Sequence, residues 1–271
     1  MITDDQRDEF RRTGLLRLPG AIDRSATVPM VNRIWDHLGR AHGLTRDRPE
    51  TWTIDRPTGL RAITGRPEFR ALGSPAIKSA LDGLLGAGRW TPPRRWGRLL
   101  ITFPGTADHP WTVPKGVWHN DFTPLTGTPD PRAVQLFMIL DDLAPGGGGT
   151  LVLTGSHRLV GPLIRDTEDG PHPRRLRERL GRDRWLRELW RPELDESAPE
   201  RIRRFMIDGG SIGGVRLRVA EVTGAAGDAY LMHCDTFHCI APNRGAVPRF
   251  MATTMIGHDR DQEPASRPRT E

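Results

Sequence analysis

A chain of 271 residues can bury one sizeable core, and no composition shift marks a second domain. Two cysteines are too few for a disulfide scaffold, and no apolar run approaches the roughly 18 residues of a membrane span. The net charge of +6 comes from 38 arginines and two lysines, Lys78 and Lys115; the arginines are dispersed and often sit beside acids, as in residues 174–179, so no nucleic-acid partner is expected. The opening residues lack the basic and apolar regions of a secretory leader, which makes the cytoplasm the default location. Cys234 and Cys239 are read as reduced thiols flanking His238.

In chain order, a short amphipathic helix ends near Thr13-Gly14 and an extended segment follows at Leu15–Leu18. Asp23 or Ser25 caps a second helix with Val28, Val31, Ile34, Trp35 and Leu38 on one stripe. A third helix covers Pro75–Leu85, with proline in its first turn. From residue 98 short strands alternate with glycine and proline: Arg98–Phe103, Val134–Leu140, Leu151–Leu153, Ile202–Ile207, Val215–Val222, Ala229–His233 and Arg249–Ile256. Widely separated strands with glycine-rich turns suit a mainly β, double-sheet jelly roll (a double-stranded β-helix, cupin-like) buttressed by the N-terminal helices. The stretch Leu176–Leu194 is instead helical, within a helical insertion at about 165–200; it is a substrate cover, a dimer surface or plain packing. One domain over 1–257 and a disordered polar tail over 258–271 complete the reading.

Two segments carry the chemistry. In Val117-Trp-His119-Asn-Asp121-Phe, a strand would point His119 and Asp121 to the same side. The second runs from Gly227-Asp228 through His238 and Asn243 to Arg249, which opens an apolar strand. Two histidines and one carboxylate occupy one face of a ferrous ion and leave the other open, whereas a closed zinc site needs a fourth protein ligand. A second His-x-Asp copy, His233-Cys-Asp235, has only His238 as a close partner, and one strand and turn cannot easily fold all three onto one metal. The metal set is therefore His119, Asp121 and His238; His233 is a core or supporting residue and Asp235 a turn or cap. An arginine buried unpaired in an apolar strand is costly, so Arg249 calls for a carboxylate partner, from a ligand or from the protein.

These segments resemble the phytanoyl-CoA dioxygenase-like family of iron(II)- and 2-oxoglutarate-dependent oxygenases. Asp142 to Arg158, with its four glycines and Gly155-Ser156-His157, is similar to the family's strand, turn and Gly-Ser-His segment. So are Gly227-Asp228 ahead of the distal histidine, Arg249 eleven residues after it, and the opening Phe10 to Leu16. The resemblance spans about residues 8–257. It implies Fe(II) on His119, Asp121 and His238, and 2-oxoglutarate held by Arg249, with Thr102 and Thr150 as further hydrogen-bonding candidates. His157 then shapes a turn, Asn243 holds another, and Trp118 and Phe122 wall the pocket or pack in the core. Ile240 departs from the pattern, since many relatives carry a small hydroxyl residue there; that bears on the carboxylate contacts and on which 2-oxo acid is used.

The implied activity is hydroxylation of a small organic substrate with dioxygen. Retention of Asp121 favours it, because halogenating relatives replace this carboxylate. Desaturation, cyclisation and epimerisation use the same triad. A secondary-metabolite intermediate, as in antibiotic biosynthesis, is the leading substrate class; acyl-CoA thioesters and amino-acid derivatives are alternatives. Arg94, Arg95, Arg98 and Lys115 either receive an acidic group or are solvated. The expected partners are that substrate and dioxygen, without nucleic acid or membrane, in a monomer or homodimer. A non-catalytic jelly-roll binding protein is the rival outside enzymes.

Overall fold

The structure is a computed structural model; it describes residues 2–105, 110–121, 131–165, 173–191 and 196–258. Helix α1 (Asp4–Thr13) begins with a reciprocal Thr3–Gln6 capping box and ends at Gly14, whose φ of 72° few other residues tolerate. Strand β1 (Leu15–Leu18) follows, then α2 (Arg24–His42), whose first turn is capped by Asp23, and α3 (Pro75–Leu85), capped by Ser74. The stripe of α2 differs from expectation at one place. Val28 is exposed, and Met30 joins Val31, Ile34 and Leu38 in the core, two residues round the helix from the assumed position.

The remaining strands are β2 (Arg98–Thr102), β3 (Ala133–Ile139), β4 (Thr150–Thr154), β5 (Gly210–Ile212), β6 (Val215–Glu221), β7 (Ala229–His233), β8 (His238–Ile240) and β9 (Arg249–Gly257). They form two antiparallel sheets, ordered β1-β7-β3-β9-β2 and β5-β6-β4-β8, the jelly-roll arrangement. Burial reports the layers. Strand β3 is buried throughout because both faces of its sheet are covered, whereas β6 alternates, with Val215, Leu217 and Val219 inside and Arg216 and Arg218 exposed.

Three apolar clusters follow from this. Met30, Ile34, Leu38 and Leu81 pack the N-terminal helices against Leu136 and Phe250 of the larger sheet. Between the sheets lie Phe137, Ile139, Val152, Tyr230, Met232 and Met251. The third cluster sets the smaller sheet, through Leu153, Leu217 and Phe237, against Leu186, Leu189 and Trp190. Those last residues belong to α6 (Arg184–Trp190), which with α4 (His157–Arg165) and α5 (Pro173–Leu180) precedes the second half of the strands. The helical insertion is thus packed onto the smaller sheet.

The expected strand at Ile202–Ile207 is helical. Helix α7 (Ala198–Ile202) starts from a Ser197–Glu200 capping box with proline in its first turn, and wider helical turns continue over Arg203–Asp208 to Gly209. Apolar residues at 202, 205 and 206 fit the helical period better than alternation, which the strand reading missed. His258 is tied down by hydrogen bonds to Arg132 O and Leu85 O, one residue into the expected tail. The rest of the expected tail, Phe122 and Leu194 lie outside the described residues.

Candidate metal centre and active site

The backbone of His119 and the backbone of His238 exchange two hydrogen bonds, N–H to O, at 3.0 and 2.7 Å. Residues 119 positions apart in sequence are therefore direct cross-strand neighbours, and their ring centroids are 4.4 Å apart. Asp121, two residues along from His119, brings Oδ2 to 3.5 Å from His238 Nε2. Donor atoms of all three side chains lie within 4.8 Å of one another, close enough to share one ion.

Each ring is oriented by a carbonyl. His119 Nδ1 lies 3.1 Å from Val117 O, and His238 Nδ1 3.1 Å from Thr236 O. A carbonyl oxygen only accepts, so each Nδ1 carries the proton and each Nε2 keeps its lone pair for a metal. Burial lowers the pKa of His238, with Asp121 opposing and His119 assisting, which favours the neutral ring that ligation requires. The second cluster that could hold an ion, His233, Cys234 and Asp235, is fully buried, and there His233 Nδ1 already accepts from Asp235 N at 3.2 Å.

Arg249 sits at the start of β9 in register with Thr102 of β2, 3% exposed. Its Nη2 donates to Thr102 Oγ1 at 2.7 Å and its Nη1 to Gly148 O, so the side chain bridges from the larger sheet to the approach of β4 in the smaller. Its Nε is buried without a partner, and no carboxylate pairs with it among the described residues. Desolvation, with Arg56 adding and Asp55 opposing, lowers its pKa to about 10, which leaves it charged at neutral pH. Gly148 is four residues before Val152, the register partner of His238. Thr150 is buried on β4 opposite Ile240, and no hydrogen bond joins its hydroxyl to Arg249. Thr102 therefore meets the arginine and Thr150 does not.

The other singled-out residues hold the frame. Asn243 donates to Thr102 O and Val247 O at 3.0 and 2.9 Å and accepts from Gly245 N, fixing the turn between β8 and β9. Asp228 accepts from Arg17 and from Gly20 N, tying β7 to the N-terminal segment. His157 Nε2 donates to Arg11 O at 3.0 Å, and Ser156 Oγ accepts from Phe237 N at 2.9 Å, next to the distal ligand's strand. Trp118 is fully buried in the third cluster, with its indole N–H on Pro114 O.

A cavity of about 400 Å³ opens beside His119, walled by Asn120, Trp190, Arg177, Arg187 and Arg191 among others. Arg94, Arg95 and Arg98 are exposed and do not line it, and neither does Lys115. The cavity's cations come from the insertion helices, whose sequence reads as an ordinary solvated run. Nor did the sequence single out Arg201. It is 1% exposed, and its guanidinium donates to Val113 O, Pro114 O, Glu188 O and Leu189 O, clamping α6 to the chain that leads into His119.

The family model for phytanoyl-CoA dioxygenase (PhyH) matches residues 69–251, a stretch that contains His119, Asp121, His238 and Arg249. The chain belongs to this family. Within the matched stretch, His119, Asp121 and His238 are side chains that could hold one metal ion. A curated relative, the ectoine dioxygenase of Nocardia farcinica (strain IFM 10152), is 30% identical over 135 residues, which is 49% of this chain and 38% of that protein. The matched stretch thus spans under two fifths of the relative's length. Among solved structures, the epimerase SnoN in complex with Fe3+, alpha ketoglutarate and nogalamycin RO has a TM-score of 0.53 at 18% identity, over 94% of this chain and 83% of that one. The nickel complex of the non-heme monooxygenase ThoJ has 0.50 at 16%, over 93% and 76%. At such identities these likenesses show the shared fold. Among the described residues, no helix is long and apolar enough to cross a membrane.

Proposed function

We propose that the protein is an iron(II)- and 2-oxoglutarate-dependent dioxygenase that oxidises a small organic substrate in the cavity beside His119. The observation that carries this is the pairing of His119 with His238 across strands, with Asp121 at 3.5 Å, in the same barrel as a buried Arg249 whose Nε has no partner. Three protein donors on one side leave positions for a cosubstrate, which suits iron of this class better than structural zinc. With dioxygen, the bound iron and 2-oxoglutarate supply the oxidising power, consuming the 2-oxo acid to succinate and carbon dioxide as a substrate C–H bond is broken.

The chain's own residues position and insulate. Val117 O and Thr236 O fix the imidazoles, and Asp121 offsets part of the metal's charge. Arg249 offers a fork to the distal carboxylate of 2-oxoglutarate, with Thr102 orienting one of its arms. Helix α6, anchored by Leu186 and Leu189, limits water entry above the triad.

Hydroxylation is the first reading, consistent with a relative named a dioxygenase. Hydrogen removal without oxygen delivery, giving an epimer, an alkene or a new ring, is the second reading, favoured by the fold shared with an epimerase. SnoN is described as an epimerase from nogalamycin biosynthesis, which supports a secondary metabolite as substrate. Anaerobic Fe(II) titration in the presence of 2-oxoglutarate should give a visible charge-transfer band, lost in Asp121→Ala and reached only at much higher 2-oxoglutarate in Arg249→Ala. Aerobic turnover should form succinate in the wild type, none in Asp121→Ala, and in Arg249→Ala only at raised 2-oxoglutarate. Wild-type behaviour in both variants would reject the assignment. Product mass then separates the outcomes: one added oxygen, no change, or loss of two hydrogens.

A further inference from the structure

The wall of the cavity beside His119 is unusually rich in donors. Asn120 and Trp190 are 9% and 5% exposed, and Asn120 Nδ2 and Trp190 Nε1 are buried with no hydrogen-bond partner. A buried N–H without an acceptor is unfavourable, and both of these belong to residues that line the same wall. Arg177 and Arg187 add two guanidiniums that pair with no carboxylate among the described residues; Arg177 has only the face of Trp190, at 5.9 Å. Arg191 and Glu178, also on the wall, are engaged elsewhere. The indole of Trp190 contributes an apolar surface to the same wall.

Building on the function proposed above, we infer that this cavity takes a substrate with an anionic oxygen group, a carboxylate or phosphate ester, on an apolar or ring-shaped body. The anion meets Arg177 and Arg187, the body lies against Trp190, and the oxidised carbon is presented towards the triad at His119. Arg249 plays no part in this contact, because it lies at the Gly148 end of the barrel. The recognised class therefore excludes neutral, purely apolar molecules. Both cations come from the insertion, so the insertion sets specificity while the sheets set the chemistry.

The test uses the full chain, loaded anaerobically with Fe(II) and 2-oxoglutarate and also metal-free. Paired probes are titrated by calorimetry: phenylacetate against phenylacetamide, and phenyl phosphate against phenol. Each anion should bind at least about tenfold more tightly than its neutral partner, the scale of one charge-assisted contact. The Arg177→Gln/Arg187→Gln double variant should lose that preference while its 2-oxoglutarate charge-transfer band stays at wild-type strength. Arg179→Gln, on an exposed position of the same helix, should keep the preference. The two anion arms show which oxyanion is favoured. Equal binding of acid and amide overturns the inference, as does a preference that survives in the double variant or vanishes in Arg249→Met. Absence of the band in wild-type protein would instead sink the metal reading, and the metal-free titration would still report on the anion site.

Discussion

His157 and His233 form a buried imidazole pair, ring centroids 4.8 Å apart, that should make the protein acid-labile well above the carboxylate range. Desolvation holds His157 down to about 4, and desolvation together with the neighbouring His157 holds His233 down to about 3, both from an ordinary 6.5. The unfolded chain therefore binds more protons than the native state over this window. Stability is complete above pH 6.5, falls as the pH drops below that value, and is fully lost only below the folded pKa values. From about pH 7 to about pH 5 each ring should cost about 2 kcal/mol, so the pair costs about 4 kcal/mol, or roughly 10 °C in melting temperature. Asp142, held at about 2 by Arg24, adds nothing until the pH is lower still. The assay is urea unfolding of metal-free protein at both pH values, repeated with His157→Gln/His233→Asn. These substitutions keep a donor for Arg11 O and an acceptor for Asp235 N, so the local hydrogen bonds are retained. His238 is present in both proteins, so whatever it contributes cancels in the difference. If the double variant and wild type lose the same stability to within about 1 kcal/mol, the linkage argument is wrong.

Three further outcomes follow from named contacts. Arg249→Lys should weaken 2-oxoglutarate binding by about 2 kcal/mol or more, because an ammonium cannot reproduce the fork, and Thr102→Val should weaken it by about 1 kcal/mol; the Fe(II) charge-transfer titration reads both. Arg201→Met removes the clamp on four carbonyls and should destabilise by about 3 kcal/mol or more, with faster amide exchange in α6. Gly14→Ala should cost about 2–4 kcal/mol by urea unfolding, since φ there is +72° and a Cβ would meet His157 Nδ1 at 2.5 Å and Thr236 Oγ1 at 2.6 Å.

What the sequence revealed and what it hid divide along physical lines. The His-x-Asp pair was legible because strand geometry alone puts alternate side chains on one side, and Arg249 because a lone cation in an apolar strand demands a partner. The pairing of His119 with His238 is a long-range backbone contact, for which local pattern supplies only the ligand types. Ile202–Ile207 was misread because a six-residue apolar-rich stretch fits either period, and the deciding signal was the capping box at Ser197 and Glu200 just upstream. Val28 was placed inside from spacing alone, and Met30 took the core position. Arg177 and Arg187 were hidden for a different reason. A basic helix is solvated or site-forming according to what it packs over, and that depends on Leu186, Leu189 and Trp190 docking on the smaller sheet.

The placement of Arg201 bears on how the site can work. Its guanidinium joins the carbonyls of Val113 and Pro114, which lead into the His119 strand, to those of Glu188 and Leu189 on α6. The wall that carries Trp190 and Arg187 is thereby fixed to the same piece of chain that supplies His119 and Asp121. Helix α6 cannot lift as a free flap without breaking the two hydrogen bonds from Arg201 to Glu188 O and Leu189 O, each worth about 1.5–3 kcal/mol. On the function proposed above, substrate reaches the triad past the exposed side of the cavity, where Arg187 and Arg191 stand, rather than by displacement of α6. A rigid wall holding donors at a set distance from His119 suits control of which C–H bond is presented, because small misplacements near the reacting centre cost large factors in rate.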